Sequence, residues 1–120
     1  MTGKRQRIGK LGEERALEYL TQKGYRIVGS NIKLKVGEID ILAEVDNFLV
    51  FVEVKTRSSD IFGEGYEAVD KRKQNKLRQL ALTYLQGRSG TSRMIRFDVI
   101  SILLGSKGEV LRLRHFEAAF

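Results

Sequence analysis

The sequence predicts one α/β domain whose elements follow the order α-β-β-β-α-β-β. Its 120 residues are enough for a single hydrophobic core but not for two. Apolar residues make up 42% of the chain and charged residues 31%, values that are typical of a globular protein. No apolar run approaches the ~20 residues of a membrane-spanning helix, and no linker or repeat interrupts the chain. We therefore expect residues 1–120 to fold as one domain.

The first half of the chain contains a predicted helix followed by three strands. Residues 8–23 are good helix formers, and Gly24 ends this helix. A first strand covers residues 25–31. Two further strands, at 38–45 and 48–56, are separated by two residues only, which is typical of a β-hairpin.

The second half supplies another helix and two more strands. A polar, glycine-containing loop at 58–65 follows the third strand, and long loops of this kind often face a substrate. Asp70 is a suitable N-cap for a second helix that ends near Gln86. The last two strands are predicted at 93–104 and 109–116.

The hairpin carries charged residues where core strands are normally apolar. With a turn at 46–47, Asp40 faces Glu53 across the two strands. Lys55 lies on the same face, two residues beyond Glu53. The pattern therefore predicts a cluster of two carboxylates and one ammonium group on one face of the sheet.

The same register sorts the other hairpin residues between the two faces. Glu38 falls opposite Lys55, and Leu42 and Phe51 lie beside the charged cluster. The opposite face is predicted to be apolar core: Ile39, Ile41, Val45, Val50, Val52 and Val54.

Two facing carboxylates repel each other, and burial increases the cost unless a positive charge lies between them. A divalent cation would compensate both at once, and carboxylates suit hard, oxygen-preferring ions. The chain has one histidine and no cysteine, so Mg²⁺ or Mn²⁺ is favoured over Zn²⁺. The alternative interpretation is a metal-free salt bridge among Asp40, Glu53 and Lys55.

The first helix has a carboxylate at the border of its apolar stripe. Glu13 lies on the face of Ala16, Leu17 and Leu20, at helical spacing. It is either a charge at the rim of the core or a third acidic group directed at the hairpin, and the helical spacing alone favours the rim charge.

Basic residues are in excess and concentrate at the second helix. The chain has 22 Lys and Arg against 15 Asp and Glu, a net charge of +7 that favours a polyanionic partner. Lys73, Gln74 and Lys76 lie near the start of this helix, where free N–H groups and the helix dipole favour phosphate. Nucleic acid is therefore the expected partner.

Five short segments together carry a family resemblance. An Asp followed on the next strand by Glu-Val-Lys resembles the PD-(D/E)XK nuclease signature, with Ile39 where the name of the motif has proline. The segments "GEERALEYL", "GEID", "FVEVKTR", "KRKQNKL" and "RFDV" resemble the YraN family of uncharacterised proteins, which are classed as endonucleases by similarity. The resemblance covers nearly the whole chain and extends to the archaeal Holliday junction resolvases.

The resemblance implies a three-layer, restriction-endonuclease-like α/β fold with a mixed central sheet. It also implies a Mg²⁺- or Mn²⁺-dependent site. The implied catalytic residues are Glu13, Asp40, Glu53 and Lys55; the implied metal ligands are Asp40, Glu53 and the Val54 carbonyl; the implied nucleic-acid contacts are Lys33, Lys73, Gln74 and Lys76.

The implied function is metal-dependent hydrolysis of phosphodiester bonds in nucleic acid, with branched DNA as the first candidate substrate. Because junction-cutting relatives act as dimers, a homodimer is an expectation too. The absence of cysteine fits a reducing cytoplasm, and no membrane partner is expected. Two alternatives stay open: a nuclease-like module that binds nucleic acid without cutting it, and a structural subunit of a larger assembly.

Overall fold

The computed structural model describes residues 3–59, 69–86 and 93–120. In these ranges two helices and five strands follow the predicted order, and most of the predicted loop at 58–65 lies outside them. No helix in these ranges is long and apolar enough to cross a lipid bilayer. The elements are α1 (Lys4–Gln22), β1 (Arg26–Leu34), β2 (Gly37–Val45), β3 (Phe48–Ser58), α2 (Lys71–Leu85), β4 (Met94–Leu104) and β5 (Val110–Phe116).

The strands form one mixed sheet in the order β1-β2-β3-β4-β5. All neighbours are antiparallel except β3 and β4, which run parallel in register from Phe48–Met94 to Ser58–Leu104. Parallel strands need a crossover connection, and α2 lies in the chain between β3 and β4. The ladder between β3 and β4 is also the longest of the sheet.

Each face of the sheet carries its own hydrophobic core, because side chains alternate along a strand. One core packs on α1 and consists of Ala16, Leu20, Tyr25, Ile41, Ala43, Val50, Val52, Ile100, Ile102 and Leu104. The other packs on α2 and consists of Ile39, Leu42, Leu49, Phe51, Val69, Leu77, Leu80, Ala81 and Val99. The result is a three-layer arrangement with one helix on each side of the sheet.

Two element boundaries differ from the sequence prediction for physical reasons. Helix α1 begins at Lys4 rather than at residue 8, because the preceding residues are also good helix formers and Gly3 donates its N–H to the Gln6 side chain. Strand β1 continues to Leu34 rather than ending at residue 31. Asn31 has a φ of +50°, which is typical of a turn, yet it distorts the strand without ending it.

The predicted hairpin register is confirmed near the turn, where Val45 pairs with Phe48 and the ladder runs to Ile41–Val52. Beyond that point the prediction is wrong. The β2–β3 ladder ends there, so Glu38, which pairs with Lys33 on β1, is not paired with Lys55 on β3. Ile39, predicted on the face of Ile41, packs instead in the core on the α2 side.

Candidate active site

The site lies where β2 and β3 separate. Past the Ile41–Val52 pair, β2 continues along β1 as far as Gly37, whereas β3 continues along β4. Asp40 and Glu53 therefore come together at the opening of the ladder rather than as a backbone pair. A carboxylate oxygen of Asp40, Oδ2, accepts the Val54 N–H at 2.9 Å and replaces the missing ladder partner.

The backbone of Val54 also contributes an acceptor to this opening. The N–H and C=O groups of one strand residue point towards the same neighbouring strand. Because the Val54 N–H points towards Asp40, its carbonyl faces the same gap. The predicted ligand set of Asp40, Glu53 and the Val54 carbonyl is thus gathered around one opening.

Glu53 is buried and is compensated by two lysines. Its side chain is 9% exposed, and its Oε2 atom lies 3.3 Å from Lys73 Nζ and 4.0 Å from Lys55 Nζ. The Lys55 contact follows from the predicted hairpin. The Lys73 contact was not predicted, because it depends on how the first turn of α2 packs over β3.

Asp40 is strongly perturbed by its surroundings. Burial, followed by the neighbouring charge of Glu53, raises the pKa of its carboxyl group to about 7. The Val54 N–H and the Lys73 ammonium oppose this rise only in part. Asp40 is therefore under-compensated, and strongly perturbed groups of this kind cluster at functional sites.

Helix α1 directs Glu13 towards the acidic pair. Glu13 is half-buried, and burial raises its pKa, with Glu38 and Glu53 adding to the rise. A hydrogen bond from the Asn31 side chain acts in the opposite direction. The prediction that Glu13 is a third acid near the hairpin is thereby favoured over a solvated rim charge.

Two residues that help to build the site were not predicted. Gly12 allows α1 to approach β3 so closely that an added Cβ would lie 2.0 Å from Thr56 Oγ1. A glycine inside a helical pattern was the available signal, since it often marks close packing. Asn31 gave a weaker signal, because asparagine tolerates positive φ but rarely indicates a side-chain partner.

A basic groove of about 710 Å³ opens beside the site. Lys55 links it to the acidic pair, and the predicted contacts Lys73 and Lys76 both lie on its wall. Gln74 instead donates its amide N–H to the Val69 carbonyl at 2.9 Å, and Lys33 lies on β1 beside Glu38. The described lining residues are Lys55, Val69, Asp70, Arg72, Lys73, Asn75, Lys76 and Gln79.

The ligand groups of the site limit which metal ion it could hold. Across residues 3–59, 69–86 and 93–120, no three His, Cys, Asp or Glu side chains form a group that could hold a metal ion alone. Mg²⁺ does not need such a group, because it is often held by one or two carboxylates together with waters and substrate phosphates. Asp40, Glu53 and a backbone carbonyl fit that mode of binding and do not fit a closed zinc site.

A second buried carboxylate lies on the other face of the sheet. Asp98, in the "RFDV" segment, is 1% exposed. It accepts two hydrogen bonds from Arg96, at 2.9 and 2.8 Å, one of 2.7 Å from the His115 ring and one of 3.1 Å from the Ala118 N–H. The His115 ring in turn contacts the Tyr19 hydroxyl at 2.9 Å. Sequence analysis assigned no role to this segment.

Comparison with known proteins places the chain in a family. The model of the uncharacterised protein family UPF0102 matches residues 12–102. The chain belongs to this family. The UPF0102 protein of Pelotomaculum thermopropionicum is 42% identical over 120 residues, covering 100% of both chains. That of Alkaliphilus oremlandii is 45% identical over 116 residues, covering 95% of this chain and 97% of the relative.

UPF0102 is the YraN family that the sequence motifs predicted, so that prediction is confirmed. The relatives carry the family name alone, which states no activity. The matched segment nevertheless contains Glu13, Asp40, Glu53 and Lys55. The whole candidate site therefore lies within the part of the chain that the UPF0102 model matches.

Proposed function

We propose that this UPF0102 protein is a metal-dependent endonuclease that hydrolyses phosphodiester bonds in nucleic acid, with branched DNA as the first candidate substrate. One observation carries the proposal: Asp40, which is under-compensated, is held together with Glu53 at the mouth of a basic groove. A surface that only binds a polyanion gains nothing from paired carboxylates facing it. A hydrolase uses them to hold a cation against the phosphate.

The architecture supports a restriction-endonuclease-like fold in the PD-(D/E)XK superfamily. A mixed sheet lies between two helices, and the acidic pair lies on adjacent antiparallel strands that separate at the site. The Glu-Val-Lys segment of β3 places Glu53 and Lys55 two residues apart, so both side chains reach the same side of the strand. These features agree with the fold that the motifs imply.

Asp40, Glu53 and the Val54 carbonyl would hold Mg²⁺ or Mn²⁺. When bound, such an ion polarises the phosphate and lowers the pKa of a coordinated water. The Asp40 carboxyl group must be ionised to act as a ligand, and its raised pKa makes cation binding weaker at acidic pH. The Val54 N–H keeps Asp40 oriented towards the opening through Oδ2.

The remaining residues have distinct roles in this mechanism. Lys55, at the edge of both the acidic pair and the groove, orients the attacking water and stabilises negative charge that develops on the phosphate. Glu13, held by Asn31, orients the water shell on the α1 side. The lysines of the groove, with Gln74 and Lys33 as more distant contacts, bind the backbone without reading base sequence.

A non-catalytic nucleic-acid-binding module is the second candidate, and one contact favours it. Lys73 already lies 3.3 Å from Glu53, so a salt-bridge cluster compensates this carboxylate without metal. In that case the acidic pair would belong to a structural salt-bridge cluster beside a basic groove. The two candidates differ in whether Lys55 contributes to cleavage beyond binding.

The deciding experiment measures cleavage and binding separately on branched, flapped and linear DNA and on RNA, with Mg²⁺ and with chelator. We expect Mg²⁺-dependent cleavage that Lys55→Ala reduces at least ~100-fold while changing affinity by less than about threefold. Lys23→Ala, an exposed lysine at the far end of α1, serves as the matched control. Cleavage by wild type on no substrate, with binding intact, would favour the binding module.

Partner and location follow from the proposed substrate. Cutting a symmetric junction requires two strand breaks, and the described part of this chain offers one candidate site, so we propose that the active form is a homodimer. Light scattering with and without a four-way junction would show whether the proposed dimer forms.

A cysteine-free chain that acts on DNA suits the cytoplasm.

A further inference from the structure

Lys73 occupies an unusual position for a groove residue. Its ammonium group lies 3.3 Å from Glu53 Oε2, although its side chain remains 41% exposed and also lines the basic groove. Lys55 approaches the same oxygen at 4.0 Å. Lys73 therefore stands between the acidic pair and the groove and has access to both.

We propose that Lys73 is an internal counter-ion that neutralises Glu53 while no metal is bound and moves into the groove when a divalent cation binds. The inference rests on the proposed function, because it requires the cation site at Asp40 and Glu53. It adds a coupling between cation binding and nucleic-acid binding, with one side chain carrying the coupling.

Charge balance gives the physical reason. Asp40 and Glu53 together carry at most two negative charges, which a divalent cation neutralises completely. Both carboxylates are then neutralised by the ion, so an ammonium group that stays within 4 Å of Glu53 loses the attraction that held it there and lies close to the divalent cation, which repels it in a partly buried environment. The ammonium group that lies closer to Glu53, that of Lys73, loses most from staying in place.

Lys73 is the lysine that is free to move. It extends from the first turn of α2 on a flexible four-carbon stem, and the groove next to it is open to solvent. Lys55 extends from the second half of β3, two residues beyond Glu53 on the same side of the strand, so its approach to the acidic pair is set by the sheet. Cation binding would thus release Lys73 and leave Lys55 in place for catalysis.

The released ammonium group adds one positive charge to the groove beside Arg72 and Lys76. Phosphate would then bind more tightly to the cation-loaded protein than to the metal-free protein. Because linkage is reciprocal, nucleic acid would raise the affinity for the cation by the same factor. The contact between Lys73 and Glu53 would therefore keep the affinity of the metal-free protein for polyanions low.

The test is calorimetric titration of Mn²⁺ into wild type, Lys73→Ala and Lys76→Ala, without nucleic acid. Lys76 lines the same groove, so its variant removes the same charge and controls for the general change in electrostatic potential. We expect Lys73→Ala to bind Mn²⁺ about five- to tenfold more tightly than wild type, within the usual range of coupling. We expect Lys76→Ala to stay within about twofold.

A second measurement follows a labelled DNA duplex by fluorescence anisotropy, with Ca²⁺ or with chelator. The enhancement of DNA affinity by Ca²⁺ should be smaller in Lys73→Ala than in Lys76→Ala by that same factor. Lys73→Met, which keeps the apolar stem, repeats both measurements if the alanine variant does not fold.

The outcomes separate this inference from the proposed function. If wild type binds Mn²⁺ and Lys73→Ala binds it no more tightly than Lys76→Ala, the counter-ion role is wrong and the cation site stands. If none of the three proteins binds Mn²⁺, the cation site itself is wrong, and the counter-ion role is overturned with it.

Discussion

Two buried acidic sites on opposite faces of one sheet show how differently a protein can treat a carboxylate. Asp98, on the α1 side, accepts hydrogen bonds from Arg96, His115 and a backbone N–H. Burial alone would raise its pKa, but those bonds outweigh burial and leave the pKa below its ordinary value. Asp40 has a single backbone N–H donor and an acidic neighbour, and its pKa rises to about 7.

The difference separates a carboxylate whose charge is satisfied from one whose charge is under-compensated. A buried carboxylate with all its partners in place stabilises a single arrangement, here the attachment of β5 and the chain end to the sheet. A partly buried pair with too few partners costs stability, and we propose that Asp40 and Glu53 are kept for the cation that they would bind. The two sites therefore predict opposite responses to the same change, aspartate to asparagine.

The largest expected effect is at the satisfied site. Asp98→Asn removes the charge that compensates Arg96, whose side chain is only 11% exposed, and leaves a buried guanidinium facing a neutral amide. We expect the free energy of unfolding to fall by about 3–5 kcal/mol, the usual cost of breaking a buried ion pair. Urea denaturation at pH 7 measures it, with Asp46→Asn in the exposed hairpin turn as the control.

The opposite sign is expected at Asp40. The pKa of this group is higher in the folded state than in the unfolded chain, so its ionisation destabilises the fold as pH rises from about 4 to about 7. Asp40→Asn keeps an acceptor for the Val54 N–H and removes the repulsion with Glu53. Without metal, the free energy of unfolding of the variant should exceed that of wild type, and this difference should grow by on the order of 2 kcal/mol as the pH rises from 5 to 8.

The measurement is chemical denaturation at both pH values in the presence of chelator. In thermal denaturation without chelator, Mn²⁺ should raise the melting temperature of wild type and leave that of Asp40→Asn unchanged, because the neutral side chain is a poor ligand. A variant that is less stable than wild type at pH 8 would show that Asp40 is a satisfied structural group, like Asp98.

A smaller loss of stability is expected for a change in helix α1, which contributes to both acidic sites. The helix carries Glu13 towards the Asp40 site and Tyr19 towards the Asp98 site. An added methyl group at Gly12 would meet Thr56 at 2.0–2.7 Å, so Gly12→Ala should push α1 away from β3. Overpacking costs about 1–3 kcal/mol, offset in part by the better helix propensity of alanine.

Gly9→Ala is the matched control, because nothing lies within 4 Å of the methyl group it would add to the same helix. We expect thermal denaturation to show a net loss of about 1 kcal/mol for Gly12→Ala and a gain of about 0.5–1 kcal/mol for Gly9→Ala. Equal gains in both variants would show that α1 can shift without cost and that close contact with β3 is not required.

Sequence pattern predicted much of this fold, because the information is local. Alternation in the hairpin gave the register near the turn, and Asp70, whose side chain accepts the Lys73 N–H at 2.8 Å, marked the start of α2 as predicted. The grouping of Asp40, Glu53 and Lys55 was predicted from that register, although Asp40 and Glu53 meet where the ladder opens and not as a backbone pair. Local pattern fails where β2 and β3 separate, because alternation along the two strands does not indicate where their ladder ends.

The parts that sequence did not predict all depend on packing between distant elements. The contact of Lys73 with Glu53 requires α2 to lie over β3, and the contact of Asn31 with Glu13 requires β1 to lie beside α1. The Asp98 cluster brings together residues up to 96 positions apart, such as Tyr19 and His115. Periodicity along one segment carries no information about such encounters.

The smallest effect on stability is expected in the groove, where an exposed charge is needed only for binding. Lys76 is exposed on the wall of the groove, so Lys76→Ala should change the free energy of unfolding by less than about 0.5 kcal/mol. On duplex DNA it should reduce the slope of log affinity against log salt by about 0.9, the contribution of one phosphate contact, with little dependence on base sequence. Fluorescence anisotropy between about 50 and 200 mM salt measures this slope. An unchanged slope would place the nucleic-acid contacts away from α2, with Lys33 and the basic residues of the first turn of α1 as the next candidates to substitute.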